Sequence, residues 1–274
     1  MTVWGGNGRV PSWALGDVMS QVDRPSRAII ILNYKRARNI GPIVRRCLES
    51  ARAPDIHVID NSSDRSARYV TELFPAVHYL PQERNMGCGV RYSVSLTLPH
   101  ELTLCIDDDV FLAATQIDAL FDRIAQQPHR AHGIWGDGFV MRDGMPAFFG
   151  GATQRNVAAP MLNRVYGYSR AYLAGATQTA VKAGLNDWID AGSCDYMLFS
   201  LCGATVPMCH ALGPFGECAT SNEAGIAVWK EDDFDQARTD FLLRLLPHIP
   251  HATHALEALT RQMWRTSKTM VDLS

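Results

Sequence analysis

Ala28-Ile29-Ile30-Ile31-Leu32-Asn33-Tyr34-Lys35-Arg36 is the stretch on which the reading of the chain turns. The unbroken apolar run from Ala28 to Leu32 shows no polar alternation and is too short for a helix. It is therefore expected as a strand buried on both faces, the habit of parallel sheets. A polar and basic quartet, Asn33 to Arg36, ends it abruptly. Ile40, Ile43, Val44, Cys47, Leu48 and Ala51 then repeat at helical spacing, with Asn39 as the expected N-cap and Pro54 beyond the end.

The cycle repeats downstream. Ile56-His57-Val58-Ile59-Asp60 reads as a second strand, residues 66–74 as a helix, 77–80 as a third strand, 85–98 as a helix, and Leu102-Thr103-Leu104-Cys105-Ile106 as a fourth strand. Strands alternating with helices in this way predict an α/β fold, a Rossmann-like and mainly parallel sheet flanked by helices, joined by right-handed crossovers. Further on, 115–127 reads as a helix, 133–141 as a strand, and 234–246 and 254–264 as amphipathic helices, while 142–191 is rich in Gly, Ala, Asn and Tyr with weak periodicity. The expected organisation is an irregular arm over 1–27, a nucleotide-type sheet over 28–130, and a less regular second half of the same domain over 131–274.

Composition narrows the field. Among 274 residues, 26 Lys and Arg face 28 Asp and Glu, a net charge of −2 that argues against a protein gripping nucleic acid or anionic membrane mainly by charge. No apolar run reaches the roughly 18 residues of a membrane span, and the start lacks the pattern of a secretion signal, so a cytoplasmic location is expected. The seven cysteines, Cys47, Cys88, Cys105, Cys194, Cys202, Cys209 and Cys218, form no CxxC pair and read as reduced, buried small hydrophobes. A zinc site from Cys202, Cys209, His210 and Cys218 is the weaker alternative because its spacing is irregular. His248, His251 and His254 look like a metal comb, but Pro250 interrupts any helix that would align them.

Ligands of parallel sheets bind at the carboxyl ends of the strands. That rule singles out Asn33-Tyr34-Lys35-Arg36, Asp60-Asn61-Ser62-Ser63 and Asp107-Asp108-Asp109. Three consecutive carboxylates behind a buried strand repel one another, so positive charge should sit beside them. Asp107 and Asp109 fall on one side of an extended chain, where two oxygens could converge on a hard divalent ion, Mg²⁺ or Mn²⁺. The plainer alternative is a solvated acidic helix start. Asn85-Met86-Gly87-Cys88-Gly89-Val90-Arg91 adds a glycine-rich turn and, with Arg84, two arginines, where backbone N–H groups favour an anion. The dinucleotide fingerprint belongs directly after the first strand, where this chain has Asn33 to Asn39 without a glycine, and no Walker loop is present.

In order, Ile30 to Arg36, Val58-Ile59-Asp60-Asn61, Asn85-Met86-Gly87 and Ile106-Asp107-Asp108-Asp109 resemble the nucleotide-sugar half of GT-A glycosyltransferases, with the triplet as the DxD motif. Tyr172-Leu173-Ala174-Gly175-Ala176, followed by Ala191 to Phe199, is similar to the exostosin-like family 64, in which an apolar strand with a Gly-Ala pair precedes an acidic segment leading into a helix. Asp195 stands alone where that branch shows two adjacent acids, and family 2 is a close competitor of different stereochemical outcome.

The resemblance implies a metal-dependent transfer of sugar from a nucleotide-sugar donor, a UDP-sugar, to an acceptor hydroxyl. Asp60 would accept hydrogen bonds from the base, and Asn33, Arg36 and Arg91 would border base and diphosphate. Asp107 would lie near the ribose, and Asp109 would hold Mn²⁺ or Mg²⁺. Tyr34, Asn61, Asn85, Asp108 and Gly175 complete the expected substrate-binding set. His210 is a candidate third metal ligand beside Asp107 and Asp109. Asp195 is the expected catalytic acid, with Asp187, Asp190 and Glu217 behind it; Glu231-Asp232-Asp233 suits a helix start better.

The half over 131–274 would bind the acceptor, with Trp135, Tyr166, Tyr168, Tyr172 and Trp188 as sugar platforms or as core. Polysaccharide, small aglycone, protein and modified nucleic-acid base are all open as acceptor, and the sequence does not fix an oligomeric state. Two other readings compete: a nucleotidyltransferase, which would carry a glycine-rich basic loop after the first strand, and a non-catalytic nucleotide-sugar-binding module.

Overall fold

The computed structural model describes residues 25–265, so most of the expected arm over 1–27 lies outside the described residues. The chain opens with β1 (Arg27–Asn33), α1 (Ala37–Leu48), β2 (Asp55–Asp60), a 3₁₀ turn and α2 (Tyr69–Leu73), β3 (His78–Pro81), α3 (Val90–Thr97), β4 (Leu102–Asp107), β5 (Val110–Phe111) and α4 (Ala114–Gln126). It continues through β6 (His132–Gly133), β7 (Trp135–Arg142), β8 (Met145–Thr153), β9 (Val157–Ala158), β10 (Met161–Leu162), β11 (Val165–Ser169) and α5 (Arg170–Lys182). After a 3₁₀ segment come α6 (Asp195–Cys202), β12 (Met208–Cys209), β13 (Gly216–Glu217), α7 (Phe234–Leu245) and α8 (Thr253–Arg265).

The main sheet runs β3-β2-β1-β4-β11-β6-β12-β9. Its first four strands are mutually parallel. β11 pairs antiparallel with both β4 and β6, which turns the second half into a mixed sheet. The expected α/β architecture is present. Ile29, Ile31, Ile56 and Val58 pack with α1 and α4 on one face, while Ile30, Leu32 and Ile59 pack with α3, α5 and α6 on the other. Burial on both faces is the reason β1 carries no polar alternation.

Three local readings are corrected. Asn39 does not cap α1, which starts at Ala37; its amide instead donates to the Asp108 carbonyl at 2.7 Å. Helix α3 starts at Val90, not near 85, because Asn61 holds the 85–87 turn open: its Nδ2 donates to Asn85 Oδ1 and the Gly87 carbonyl, and its Oδ1 accepts from the Met86 amide. Residues 172–176 lie inside α5 and not in a strand, since Ser169 caps that helix by accepting from the Tyr172 amide and helical spacing buries Tyr172, Leu173, Ala176 and Ala180 on one face. Among the described residues no helix is long and apolar enough to cross a membrane.

Candidate active site at the carboxyl edge

β1 and β4 are neighbours, yet β2 and β3 were laid down on the other side of β1. The chain therefore reverses its direction of winding between β1 and β4, which is where such sheets open a crevice for ligands. Asn33, Asp60 and Asp107 end the adjacent strands β1, β2 and β4 there, as the sequence predicts.

Each acid of the triplet has its own arginine partner. Arg91 Nη1 donates to Asp107 Oδ1 at 2.7 Å. Asp108 accepts from Arg36 Nη1 at 2.8 Å and from the Tyr34 amide at 2.6 Å. Asp109 lies 3.1 Å from Arg164 Nη2 and 3.5 Å from Arg36 Nη2, and accepts from the Ser221 hydroxyl at 2.9 Å. The positive charge that three adjacent carboxylates demand is thus supplied by Arg36, Arg91 and Arg164, the last unforeseen. Arg164 is missed by sequence reading because it sits in the weakly periodic stretch, 55 residues beyond its partner Asp109, where only β10 and β11 bring it back. Burial pushes the Asp108 carboxyl up to about 7 against the pull of Arg36 and the Tyr34 amide.

Asp195 opens α6 as its first residue and is not the N-cap, a place held by Cys194. Its carboxylate is buried, Oδ2 makes no hydrogen bond, and the nearest charge is Arg91 Nε at 3.6 Å. Burial pushes its pKa up to about 6 despite Arg91. Arg91 therefore stands between Asp107 and Asp195. Burial works against its charge, and Tyr166, Asp107 and Asp195 outweigh that effect, holding its pKa well above the usual value.

An aromatic cluster fixes this geometry from beneath. The Phe199 ring lies 5.2 Å from Tyr92, 5.1 Å from Tyr166, 4.9 Å from Tyr168 and 5.2 Å from Tyr172. Tyr92 and Tyr166 share a hydroxyl hydrogen bond of 2.7 Å. Because Tyr92 follows Arg91 and Phe199 lies one turn along from Asp195, this cluster locks α3 and α6 together at the site. Tyr166, Tyr168, Tyr172 and Trp188 are thus core residues. Of the expected platforms only Trp135 is half-exposed, with the Arg164 guanidinium 4.4 Å over its ring.

Asp60 is fully buried and accepts four protein donors: Asn33 Nδ2 and the Ser62 amide on Oδ1, the Ala67 amide and Tyr79 hydroxyl on Oδ2. That fills the capacity of a carboxylate, so a nucleobase reaches Asp60 only by displacing one of them. The glycine turn is built by packing: a Cβ on Gly89 would stand 2.0 Å from the Trp188 carbonyl oxygen, and Gly87 has a positive φ of 74°.

Several expected members lie elsewhere. His210 directly follows β12, which is three places from β4 in the sheet, and shares a 2.9 Å hydrogen bond with His132; burial drives both imidazoles down to about 4. It does not join Asp107 and Asp109, for among the described residues no group of three His, Cys, Asp or Glu is arranged to hold a metal. The zinc alternative falls with it. Gly175 lies within α5 with open space around its Cα. Asp187 caps the 3₁₀ segment through the Ile189 amide, and Asp190 and residues 231–233 are exposed. His251 bonds the Gly203 carbonyl. All seven cysteines are free.

The carboxylates suit a hard ion that takes few protein ligands. Asp109 Oδ1 is buried without a hydrogen-bond partner, its Arg164 contact lacking hydrogen-bond geometry, and Asp107 is the most exposed of the three acids, with one oxygen free of Arg91.

No protein-family model matches the chain, and no curated protein matches it. Among solved structures it is similar to S. aureus TarS 1–349, at 14% identity over 90% of this chain and 76% of that one, with a TM-score of 0.54. The fold is of the GT-A type. The GT-A sheet also overlaps GalNAc-T7 with UDP, GalNAc and Mn²⁺ (11% identity, 72% of this chain, 44% of that one, TM-score 0.48). A further overlap is with CMP:2-keto-3-deoxy-manno-octonic acid synthetase complexed with CTP (12% identity, 56% of this chain, 78% of that one, TM-score 0.38). At these identities the likeness is one of fold.

Proposed function

We propose that this chain is a glycosyltransferase that moves a sugar from a nucleotide-sugar donor, a UDP-sugar, to an acceptor hydroxyl, with residues 28–130 holding the donor and 131–274 the acceptor. The observation that carries the reading is Arg91, whose one guanidinium faces Asp107 at 2.7 Å and Asp195 at 3.6 Å. The edge suited to a diphosphate and the carboxylate suited to act at the sugar are thus one side chain apart.

In this reading Asn33, Tyr34, Asn61 and Asn85 border the nucleoside, and Arg36 and Arg91 the diphosphate. Breaking the glycosyl–phosphate bond leaves negative charge on the diphosphate, and fixed guanidinium groups stabilise that charge more in the transition state than in the ground state. Asp107 and Asp109 would hold Mn²⁺ or Mg²⁺, which when bound supplies further positive charge to the leaving group. Asp195 takes the proton of the acceptor hydroxyl as that oxygen bonds to the sugar carbon, and a carboxylate pushed up to about 6 is a stronger base than an exposed one. A nucleotidyltransferase finds no support in the turn after β1, which carries Tyr34-Lys35-Arg36 and no glycine loop.

The test is calorimetric titration of UDP with Mn²⁺ into the wild type and Asp109→Asn, with thermal melts to verify folding. Binding is expected in the first and its loss in the second. Equal binding by the two would refute the metal assignment, and no binding by either would refute the donor reading.

A further inference from the structure

We infer that Arg164 holds the second phosphate of the donor and that Glu217 occupies its guanidinium until the donor arrives, an inference that rests on the nucleotide-sugar reading above. Arg164 has the marks of a positioned group. Its backbone is in the left-handed region, φ 62°, which L-residues rarely adopt. Its guanidinium lies over the Trp135 ring, and the side chain as a whole is 13% exposed. Nη2 faces Asp109 and donates to Ser221 Oγ at 3.1 Å, while Nη1 donates to Glu217 Oε2 at 2.5 Å.

Glu217 belongs to a strap laid across the acidic triplet. β13 pairs with β5, the Cys218 amide donates to the Asp109 carbonyl at 2.9 Å, and Arg36 donates to the Thr220 hydroxyl and carbonyl. Ser221 is the only buried residue between 216 and 222, so polar contacts to the site hold this strap. Arg36, Arg91 and Arg164 face five acids, Asp107, Asp108, Asp109, Asp195 and Glu217, and Glu217, at 43% exposure against 4–25% for the others, is the most easily released. A phosphate offers the same guanidinium two oxygens and more charge, so exchange of Glu217 for phosphate conserves the pairing and opens this end of the strap. A nucleoside monophosphate has no second phosphate and does not call for the exchange.

Calorimetry with UDP and with UMP, each with Mn²⁺, separates the possibilities. Glu217→Gln removes the competing charge and should tighten UDP binding about fivefold, with UMP unchanged. Arg164→Lys should weaken UDP at least about tenfold with little effect on UMP. A misfolded variant cannot produce the gain expected of Glu217→Gln. UDP affinity unchanged or weakened in that variant, or equal losses of UDP and UMP in Arg164→Lys, would overturn the inference while leaving the donor reading in place. A wild type that binds neither nucleotide would overturn both.

Discussion

Replacing Asp195 with Asn should stabilise the protein above pH 7 while ending the proposed chemistry. Asp195 is 3% exposed, and its pKa is pushed from 3.8 to about 6. A carboxyl raised in the folded state favours folding fully below its unfolded pKa, and that contribution is lost as pH rises through the folded value. The shift of about 2 units therefore corresponds to a penalty of roughly 3 kcal/mol for the ionised group above pH 7. Asparagine keeps the shape without the charge, and Arg91 keeps Asp107 at 2.7 Å. The variant should gain roughly 6–12 °C in Tm at pH 8. Near pH 4 the gain should shrink to about 0.5 kcal/mol, because the folded carboxyl is then protonated and the unfolded one nearly half so. Thermal melts at pH 4, 6 and 8, paired with an assay of UDP release from UDP-sugars, read both effects. A Tm difference independent of pH, or transfer that survives the substitution, would refute the reasoning.

Gly89→Ala would drive a methyl to 2.0 Å from the Trp188 carbonyl oxygen, a backbone atom that cannot swing aside. A loss of about 3 kcal/mol is expected in chemical denaturation, and a loss under about 1 kcal/mol would show that the turn can relax. Phe199→Ala empties the centre of the ring made by Tyr92, Tyr166, Tyr168 and Tyr172, and should cost about 3–5 kcal/mol by the same measurement. An unchanged midpoint would mean that these rings do not support one another.

Legibility in the sequence followed burial. β1, β2 and β4 are read from Ile29-Ile30-Ile31, Ile56 to Ile59 and Leu102 to Ile106 because a strand covered on both faces leaves its mark as an unbroken apolar run. The amphipathic helices α4, α7 and α8 are read nearly to their ends. Residues 142–191 resist the same treatment for a physical reason: the short strands β9 and β10 are set by pairing with distant partners, Met208 and Cys209 for one and Gly136 and Asp137 for the other. Helix α5 is hidden by weak amphipathicity, since its small residues Ala176 and Ala180 face the core.

The sequence by itself determined the succession of strands and helices along 28–106, the carboxyl edge as the place where Asn33, Asp60 and Asp107 to Asp109 gather, and the need for positive charge beside three adjacent acids. Those are consequences of local pattern and Coulomb repulsion, and both are written in neighbouring residues. Tertiary structure decided which charges answer that need. Arg36 lies 72 residues from Asp108, Arg91 faces both Asp107 and Asp195, and Arg164 reaches Asp109 from the turn between β10 and β11. It also decided that Asp60 is saturated, that His210 pairs with His132, and that four expected aromatic platforms are core. Each of these depends on what a side chain meets across the sheet, and spacing along the chain carries no record of that.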